Sequence, residues 1–244
     1  MINAKRKKPK CLIVERDMAI FRFLWRWKAV STLALAAKFF SNCEPRSAYC
    51  RLMLLQKCGY IQAVDLIGGL KVVWSLTDKG FKYIEPMILH LESYGYKSEH
   101  RYHDYLTTAF HLGEWLIKPP EFTQTYSEQE LRRIVPDRWE SWVPRSTTHR
   151  PDGYSMYYVG EEPVVIAFEV ELSLKANDRY DRVVAFYDGQ NDIKMVFWIV
   201  KSKTEVNALR RAFEKFHIRD WSKHHFILLR DFQENGWMAK FCEG

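Results

Sequence analysis

Three acidic residues in the segment 149–175 have the types and spacing that could bind a divalent cation. Glu169 and Glu171 lie two positions apart in the apolar run PVVIAFEVELSLK, and Asp152 lies upstream in HRPDGYSMYYV. Residues two apart in a strand share one face, so both glutamates are expected to point the same way, opposite the packed face. If Asp152 starts the paired strand on that side, three carboxylates converge. Mg²⁺ or Mn²⁺ would then relieve their repulsion.

A metal held in this way supports phosphodiester hydrolysis, because it polarises a phosphoryl oxygen and lowers the pKa of a bound water. Lys175 shares the expected face and is a distant candidate for activating that water. Arg179 and Arg182 follow at helical spacing and could hold a phosphate group, with exposed helix charges as the alternative. The competing interpretation of the three acids is a structural ion-pair network with nearby Lys or Arg.

Composition and charge place these residues in a chain with two parts. The chain has 244 residues, of which 47% are apolar, as in an ordinary globular protein. Residues 1–85 contain 16 Lys or Arg and 6 Asp or Glu, whereas the remaining residues contain 21 Lys or Arg and 24 Asp or Glu. A localised basic excess is typical of a nucleic-acid-binding module joined to another domain.

The sequence lacks a membrane span, a signal peptide, paired cysteines and a phosphate-binding loop. No run reaches the roughly 18 apolar residues of a membrane span, and the basic start lacks a signal-peptide core. The sequence therefore predicts a cytoplasmic protein with no membrane partner. Five cysteines without a C-x-x-C pair disfavour a disulfide framework and a zinc ribbon. An NTPase is disfavoured because no Gly-rich phosphate loop is present.

Three helices and a hairpin are predicted in the front third. DMAIFRFLWRWKAV, STLALAAKFF and EPRSAYCRLMLLQKC have helical spacing of apolar residues, with Asp17, Ser31 and Pro45 near their starts. YIQAVDLIGGLKVVWSLT then offers two β-rich runs around a Gly-Gly pair. This order resembles a winged helix-turn-helix DNA-binding domain over residues 15–84, preceded by a basic arm over residues 1–14.

The winged-helix resemblance implies that the third helix enters the major groove of double-stranded DNA. Its early, solvent-facing positions are the candidates to read bases, namely Arg46, Ser47 and Tyr49, with Cys50 as a further candidate. The candidates for phosphate contact are Arg51, Lys57 and Lys71. The arm adds DNA-binding candidates at Lys5, Arg6, Lys7 and Lys8. Solvated surface charges, and an unstructured solubilising tail for the arm, are the alternatives.

The back half is predicted to be an α/β layer over residues 100–244, reached through a linker helix over residues 85–99. The predicted order is a helix in HRYHDYLTTAFHLGEWLI, a capping-box helix in SEQELRR, a strand in RWESWV, a hairpin around GEEP, a helix in NDRYDRVVAFYDG, a strand in IKMVFWIV, a helix in TEVNALRRAFEKF and a strand in HHFILLRDF. Strands that are both adjacent and crossed over by helices predict a mixed sheet flanked by helices.

The PD of one strand and the FEVELS of the next resemble the PD-(D/E)xK nuclease superfamily, which has a restriction-endonuclease-like fold. The resemblance covers roughly residues 100–231 and implies that Asp152 and Glu169 bind the metal. Glu171 occupies the position that usually holds a lysine, a departure that some restriction endonucleases share by using E-x-E. The resemblance implies a metal-dependent DNA endonuclease or nickase.

A winged helix joined to this core is similar to the replication-relaxation family of plasmids and other mobile elements. The segments that carry the similarity are RLMLLQKCGYI, WSLTDKG, HDYL, SEQELRR, and PDG with FEVELS. It implies a DNA-binding protein with double-stranded DNA as partner, and a homodimer or other mobile-element proteins as further partners. The sequence therefore predicts a divalent-metal-dependent endonuclease or nickase targeted by its winged helix, and the alternative is a non-catalytic DNA-binding regulator of replication or transcription with a degenerate nuclease-like domain.

Overall fold

The computed structural model contains both helices and strands and describes residues 11–66, 72–88, 90–112 and 124–242. Contacts divide the chain into two units, the first with residues 1–89 and 94–105 and the second with residues 90–93 and 106–244. The candidates Lys5, Arg6, Lys7, Lys8 and Lys71 lie outside the described residues, so their roles stay predictions. Across the ranges that are described, no helix is both long and apolar enough to cross a membrane.

The first unit follows the predicted order of three helices and a hairpin. Its elements are α1 (Glu15–Trp27), β1 (Val30–Ser31), α2 (Thr32–Phe39), α3 (Pro45–Lys57), β2 (Ile61–Asp65), β3 (Val72–Leu76) and α4 (Asp78–Ile84). The strands form an antiparallel sheet in the order β1-β3-β2. Most apolar positions at core spacing are fully or almost fully buried, namely Ile20, Leu24, Trp27, Leu35, Ala48, Leu52 and Leu55. Ala36 and Phe39, which also have core spacing, are only partly buried.

Local capping explains where these helices begin. The Ser31 hydroxyl accepts a hydrogen bond from the backbone N–H of Ala34 at 3.1 Å, and Pro45 occupies the first turn of α3, where an N–H is not needed. Asp17 is two residues inside α1 rather than before it, and its carboxylate accepts from the Val14 N–H at 2.9 Å. The predicted start of α1 is thereby moved two residues towards the N-terminus.

The second unit contains a five-stranded mixed sheet, so the predicted mixed α/β architecture of the back half is confirmed. Its elements are α5 (Arg101–Leu112, begun in the first unit), β4 (Gln124–Ser127), α6 (Glu128–Arg133), β5 (Gly153–Val159), β6 (Glu162–Glu171), α7 (Asn177–Asp188), β7 (Ile193–Val200), α8 (Lys203–Lys215), β8 (His224–Leu228) and α9 (Leu229–Asn235). The strand order is β4-β5-β6-β7-β8. Pairing is antiparallel from β4 to β6 and parallel from β6 to β8.

Both faces of this sheet are packed. On one face Trp198 of β7 lies against Tyr187 of α7 and Phe213 of α8, with ring centroids 6.2 and 5.1 Å away. On the other face Phe168 of β6 lies against His111 of α5, at 4.5 Å between ring centroids. A long strand with apolar neighbours on both sides has little room for polar side chains, so those on β6 must find partners within the protein.

Three predicted elements differ from the structure. The linker helix over residues 85–99 is wrong: α4 ends at Ile84, and a single 3₁₀ turn at Glu85–Met87 follows, because Pro86 cannot continue the ladder of N–H donors. RWESWV forms no strand, and its Trp139 indole donates to the Ile134 carbonyl at 2.9 Å. The last predicted strand ends at Leu228, where RDF instead becomes part of α9.

Gly80 allows α4 to approach the end of α3 closely. A Cβ atom at Gly80 would overlap the carbonyl oxygen of Tyr60. The same contact region is closed by the Thr77 hydroxyl, which donates to the carbonyls of Gly59 and Tyr60 at 2.6 and 2.9 Å. A backbone carbonyl held in this way cannot move aside easily.

We therefore expect Gly80→Ala to destabilise the protein by about 1–3 kcal/mol, although alanine favours helices by about 1 kcal/mol over glycine. Urea unfolding followed by circular dichroism measures the change. Lys82→Ala, at an exposed position of the same helix, is the matched control and should stay within about 0.5 kcal/mol of the native protein. An equal or higher stability of Gly80→Ala would contradict the close approach.

Candidate functional site

Asp152 lies directly before β5 and opposite Glu169 in the hairpin register. The β5–β6 pairing sets Gly153 against Phe168, and one further step sets Asp152 against Glu169. The Asp152 N–H donates to the Phe168 carbonyl at 2.9 Å, and Asp152 Oδ2 accepts from the Val170 N–H at 2.7 Å. The carboxylate therefore closes the open end of the hairpin as well as carrying charge.

Glu169 is held by two side chains from outside the strand. Its Oε1 lies 2.5 Å from His149 Nε2 and accepts a hydrogen bond from the Tyr187 hydroxyl at 2.5 Å. The Glu169 side chain is only 12% exposed. Burial, with the nearby Glu169 charge, raises the pKa of Tyr187 well above its ordinary value, so this phenol stays protonated and donates.

Glu171 ends β6 and is the most buried of the three acids, at 4% exposure. Lys175 Nζ lies 3.0 Å from Glu171 Oε2 and is the nearest cation that the structure gives it. Burial raises the pKa of Glu171, and the Lys175 charge opposes that shift. The Tyr180 hydroxyl is also within hydrogen-bonding reach of Glu171. This pair matches the competing interpretation of the acids as an ion-pair network.

The two glutamates share a face, as predicted, but that face is not a solvent-facing polar row. Glu169 is in register with Trp198 of β7, and Ala167 on the same face is fully buried. The prediction that Lys175 shares this strand face is wrong, because β6 ends at Glu171. The two carboxylates therefore lie at the C-terminal end of β6, on a face of the sheet that is otherwise packed.

Carboxylates are the oxygen ligands that Mg²⁺ and Mn²⁺ prefer, but the three acids are not assembled around one point. Among the residues that the structure describes, no group of three or more His, Cys, Asp or Glu side chains is arranged to hold a metal ion. Each acid already has protein donors: Val170 N–H for Asp152, His149 and Tyr187 for Glu169, and Lys175 for Glu171. The arrangement does not fit the predicted three-carboxylate centre, and metal binding stays a prediction.

His149 and Tyr187 are the partners that the sequence interpretation missed. Tyr180 and Tyr187 are seven residues apart on α7, which is two helical turns, so their hydroxyls reach the two glutamates on one face. That spacing was a usable signal. His149 comes from an irregular segment, and no periodicity pointed to it. Bound to Glu169 through Nε2, its ring is fixed in orientation, and in the described part of the chain its Nδ1 has no hydrogen-bond partner.

Arg179 and Arg182 are both exposed on α7, the first beside Tyr180. Their predicted role in holding a phosphate stays a prediction.

The predicted base-reading residues occupy one exposed side of α3. Arg46, Ser47, Tyr49 and Cys50 are exposed, and Tyr49 reaches 53% exposure although it is a large aromatic side chain. Ala48, Leu52 and Leu55 on the opposite side are fully buried. Lys57, at the end of the helix, is also exposed. The helix thus presents a polar and aromatic surface in a strongly basic part of the chain.

Arg51 differs from its neighbours on α3. Its Nε donates a hydrogen bond to Asp17 Oδ1 at 2.9 Å. Its Nη2 donates to Asp17 Oδ2 and also, at 2.8 Å, to the Leu12 carbonyl. Asp17 is fully buried, and this hydrogen bonding raises the pKa of Arg51 further. The guanidinium therefore joins α3 to α1, and a role as a freely placed phosphate contact does not suit it.

Comparison with family models, with curated proteins and with solved structures finds no match for this chain. Its function is therefore inferred from its own residues and their geometry.

The raised pKa of Glu171 makes stability depend on pH in a definite direction. Because the folded-state pKa lies above the unfolded one, the folded protein holds the proton more tightly, and stability falls as pH rises through the window between them. We expect Glu171→Gln to raise the free energy of unfolding at pH 7 and to lose this advantage near pH 4. Urea unfolding at both pH values measures the change.

Glu162→Gln, at an exposed position of the same strand, is the matched control and should change little at either pH. A loss of stability in Glu171→Gln at pH 7 would show that the ion pair with Lys175 outweighs the cost of burying the carboxylate.

Proposed function

We propose that this chain is a non-catalytic DNA-binding regulator whose first unit is a winged helix-turn-helix domain. The order of three helices with a three-stranded antiparallel sheet supports this proposal, since β2 and β3 form the hairpin expected of a wing. The similarity to the replication-relaxation family favours a role in the replication or transcription of a mobile element. Double-stranded DNA is the proposed partner.

One observation carries the proposal: the exposed side of α3 bears Arg46, Ser47 and Tyr49 while its opposite side is buried. An α-helix with its side chains is about 10–12 Å wide and fits the major groove, which is about 12 Å wide. Arg46 has no ion-pair partner in the described part of the chain, so its guanidinium fork can reach a guanine edge or a phosphate.

The Arg51–Asp17 pair supports the same proposal indirectly. It holds α3 against α1 through a buried carboxylate, and a recognition helix must be held rigidly to read bases. The basic excess of residues 1–85 adds attraction to the DNA backbone that does not depend on sequence.

Arg46→Ala should weaken the preference for a specific site more than it weakens binding to unrelated DNA. A labelled duplex selected by the native protein from a random library, and the same duplex scrambled, serve as probes in fluorescence anisotropy. We expect the affinity ratio of selected to scrambled duplex to fall about 10-fold, because a bidentate contact to guanine contributes about 1–3 kcal/mol.

Arg211→Ala, which removes the same charge at an exposed position of α8, is the matched control and should preserve the ratio. The proposal fails if Arg46→Ala and Arg211→Ala give the same ratio as the native protein, or if no duplex is selected at all.

A second candidate, a metal-dependent endonuclease or nickase, is favoured by the topology of the second unit. The antiparallel run β4-β5-β6, the crossover through α7 and the parallel strand β7 are the order expected of the PD-(D/E)xK core. Asp152 and Glu169 face each other at the predicted positions of that core. In addition, a carboxyl group whose pKa is raised by burial, such as Glu171, is typical of functional sites.

Supercoiled plasmid with Mg²⁺ or Mn²⁺ separates the two candidates. If the protein is an endonuclease or nickase, the native protein should convert the plasmid to the open circular form, and Asp152→Asn and Glu169→Gln should not. Both substitutions keep an oxygen that can accept the hydrogen bonds from the Val170 N–H and the Tyr187 hydroxyl. Glu161→Gln, exposed in the β5–β6 turn, is the control and should cleave normally. If the protein is the regulator that we propose, it should shift the mobility of the plasmid DNA without cleaving it in the presence of either metal.

A further inference from the structure

A polar cleft of about 350 Å³ lies within the first unit, and none of Asp152, Glu169 and Glu171 lines it. Its walls come from paired positions of β2 and β3, namely Gln62 and Ser75, from Tyr96 and Lys97 in the segment before α5, and from Arg101, the first residue of α5. The volume is at the low end for small-molecule sites, and the walls carry hydroxyl, amide and cationic groups instead of the usual apolar lining. Such a cleft suits a small, highly polar ligand.

Several donors of the cleft are available to a ligand. Among the described residues, no hydrogen bond or ion pair is formed by the side chains of Gln62, Ser75 or Arg101. By contrast, Thr77 is occupied, because its hydroxyl donates to the carbonyls of Gly59 and Tyr60. An amide, a hydroxyl and a guanidinium that share one cleft without protein partners indicate a ligand with several oxygen acceptors.

Charge indicates that the ligand is an anion. Asp78 accepts a hydrogen bond from the Tyr96 hydroxyl, and Lys97 Nζ lies 3.7 Å from its carboxylate. Residues of the cleft itself therefore compensate the negative charge of Asp78. Burial and the bond to Asp78 raise the pKa of Tyr96 to about 12, which keeps this phenol a donor. Arg101 then remains as the uncompensated charge. A phosphate offers more oxygens than a carboxylate to donors that approach from two walls.

The cleft lies away from the residues proposed to read DNA. Gln62 and Ser75 are three residues from the pair Asp65 and Val72 at the far end of the hairpin, a separation of about 10 Å. The neighbouring Thr77 N–H donates to the Tyr60 carbonyl, just beyond the end of α3, and Arg46 is at the other end of that 13-residue helix. These positions favour a free phosphate compound over a phosphate of bound DNA.

We propose that this cleft binds a small phosphate monoester of a sugar, with Arg101 holding the phosphate while Gln62 and Ser75 contact sugar hydroxyls. The site is independent of the proposed DNA-binding function, because none of its donors lies on the exposed face of α3. Binding there would give the first unit a small-molecule effector.

Isothermal titration of the full chain with ribose 5-phosphate tests the proposal, with ribose and inorganic phosphate as partial probes. We expect ribose 5-phosphate to bind more tightly than either partial probe, and Arg101→Ala to weaken it about 10-fold or more, since hydrogen bonds to charged groups contribute about 1.5–3 kcal/mol. Gln62→Ala should weaken it less. Arg22→Ala, at an exposed position of α1, is the matched control and should bind normally.

Arg101→Lys keeps the charge but loses the two-pronged geometry, and an intermediate affinity is expected even if Arg101→Ala folds poorly. Absence of ribose 5-phosphate binding to the native protein, or binding that Arg101→Ala and Gln62→Ala leave unchanged, would overturn the proposal. A loss of duplex affinity in Arg101→Ala, without any binding of ribose 5-phosphate, would assign the cleft to the DNA backbone and also overturn it. The DNA titration is read separately, so failure of either proposal leaves the other intact.

Discussion

The burial of charged and polar groups at the end of β6 is the constraint on which the second unit depends. Glu169 and Glu171 end a strand whose preceding residues on the same face are packed, so each carboxylate has lost most of its water. The protein meets this cost with His149, Tyr187 and Lys175, groups drawn from the loop before β5, from α7 and from the turn after β6. Because the donors come from three parts of the chain, the carboxylates can hold those parts in register with the sheet.

The same constraint operates in the first unit with a different outcome. Asp17 is completely buried, and its partner Arg51 is taken from the helix that otherwise presents its charges to solvent. Removing either member would leave the other charge without compensation, which is typically far more costly than losing a surface ion pair. One arginine of α3 therefore stabilises the unit while its neighbour Arg46, five residues earlier, stays exposed. Two arginines of one helix thus have different surroundings, one paired within the fold and the other open to solvent.

These two patterns are the reason for proposing binding and not catalysis as the function of the chain. In the part of the chain that the structure describes, the side chains of Arg46, Ser47 and Tyr49 form no hydrogen bond or ion pair, whereas the carboxylates of Glu169 and Glu171 are bound by donors from the protein. The order of strands in the second unit is compatible with both proposed functions, since the topology determines where the acids lie but not what their side chains contact. The basic and hydroxyl-bearing cleft of the first unit adds a separate place where we propose that a small ligand binds.

The sequence by itself determined the elements whose signals are local. Apolar spacing and caps predicted α1, α2, α3, α7, α8 and the hairpins β2–β3 and β5–β6, because helical and strand periodicities and capping residues act within a few positions. Short elements without such signals were missed, as at β4 and α9, and the proline at position 86 ended a helix that apolar spacing alone would have extended. The shared face of Glu169 and Glu171 was also predicted correctly, since it follows from the two-residue period of a strand.

Only the tertiary structure decided which groups those residues contact. Arg51 and Arg46 are equivalent by charge and helix, and only the position of Asp17 on α1 distinguishes them. Likewise, the pairing of Glu169 with His149 joins residues 20 positions apart through an irregular segment that has no periodicity. Long-range partners depend on how elements pack, and packing is determined by the whole set of buried surfaces together, so no local pattern of residue types could have identified them.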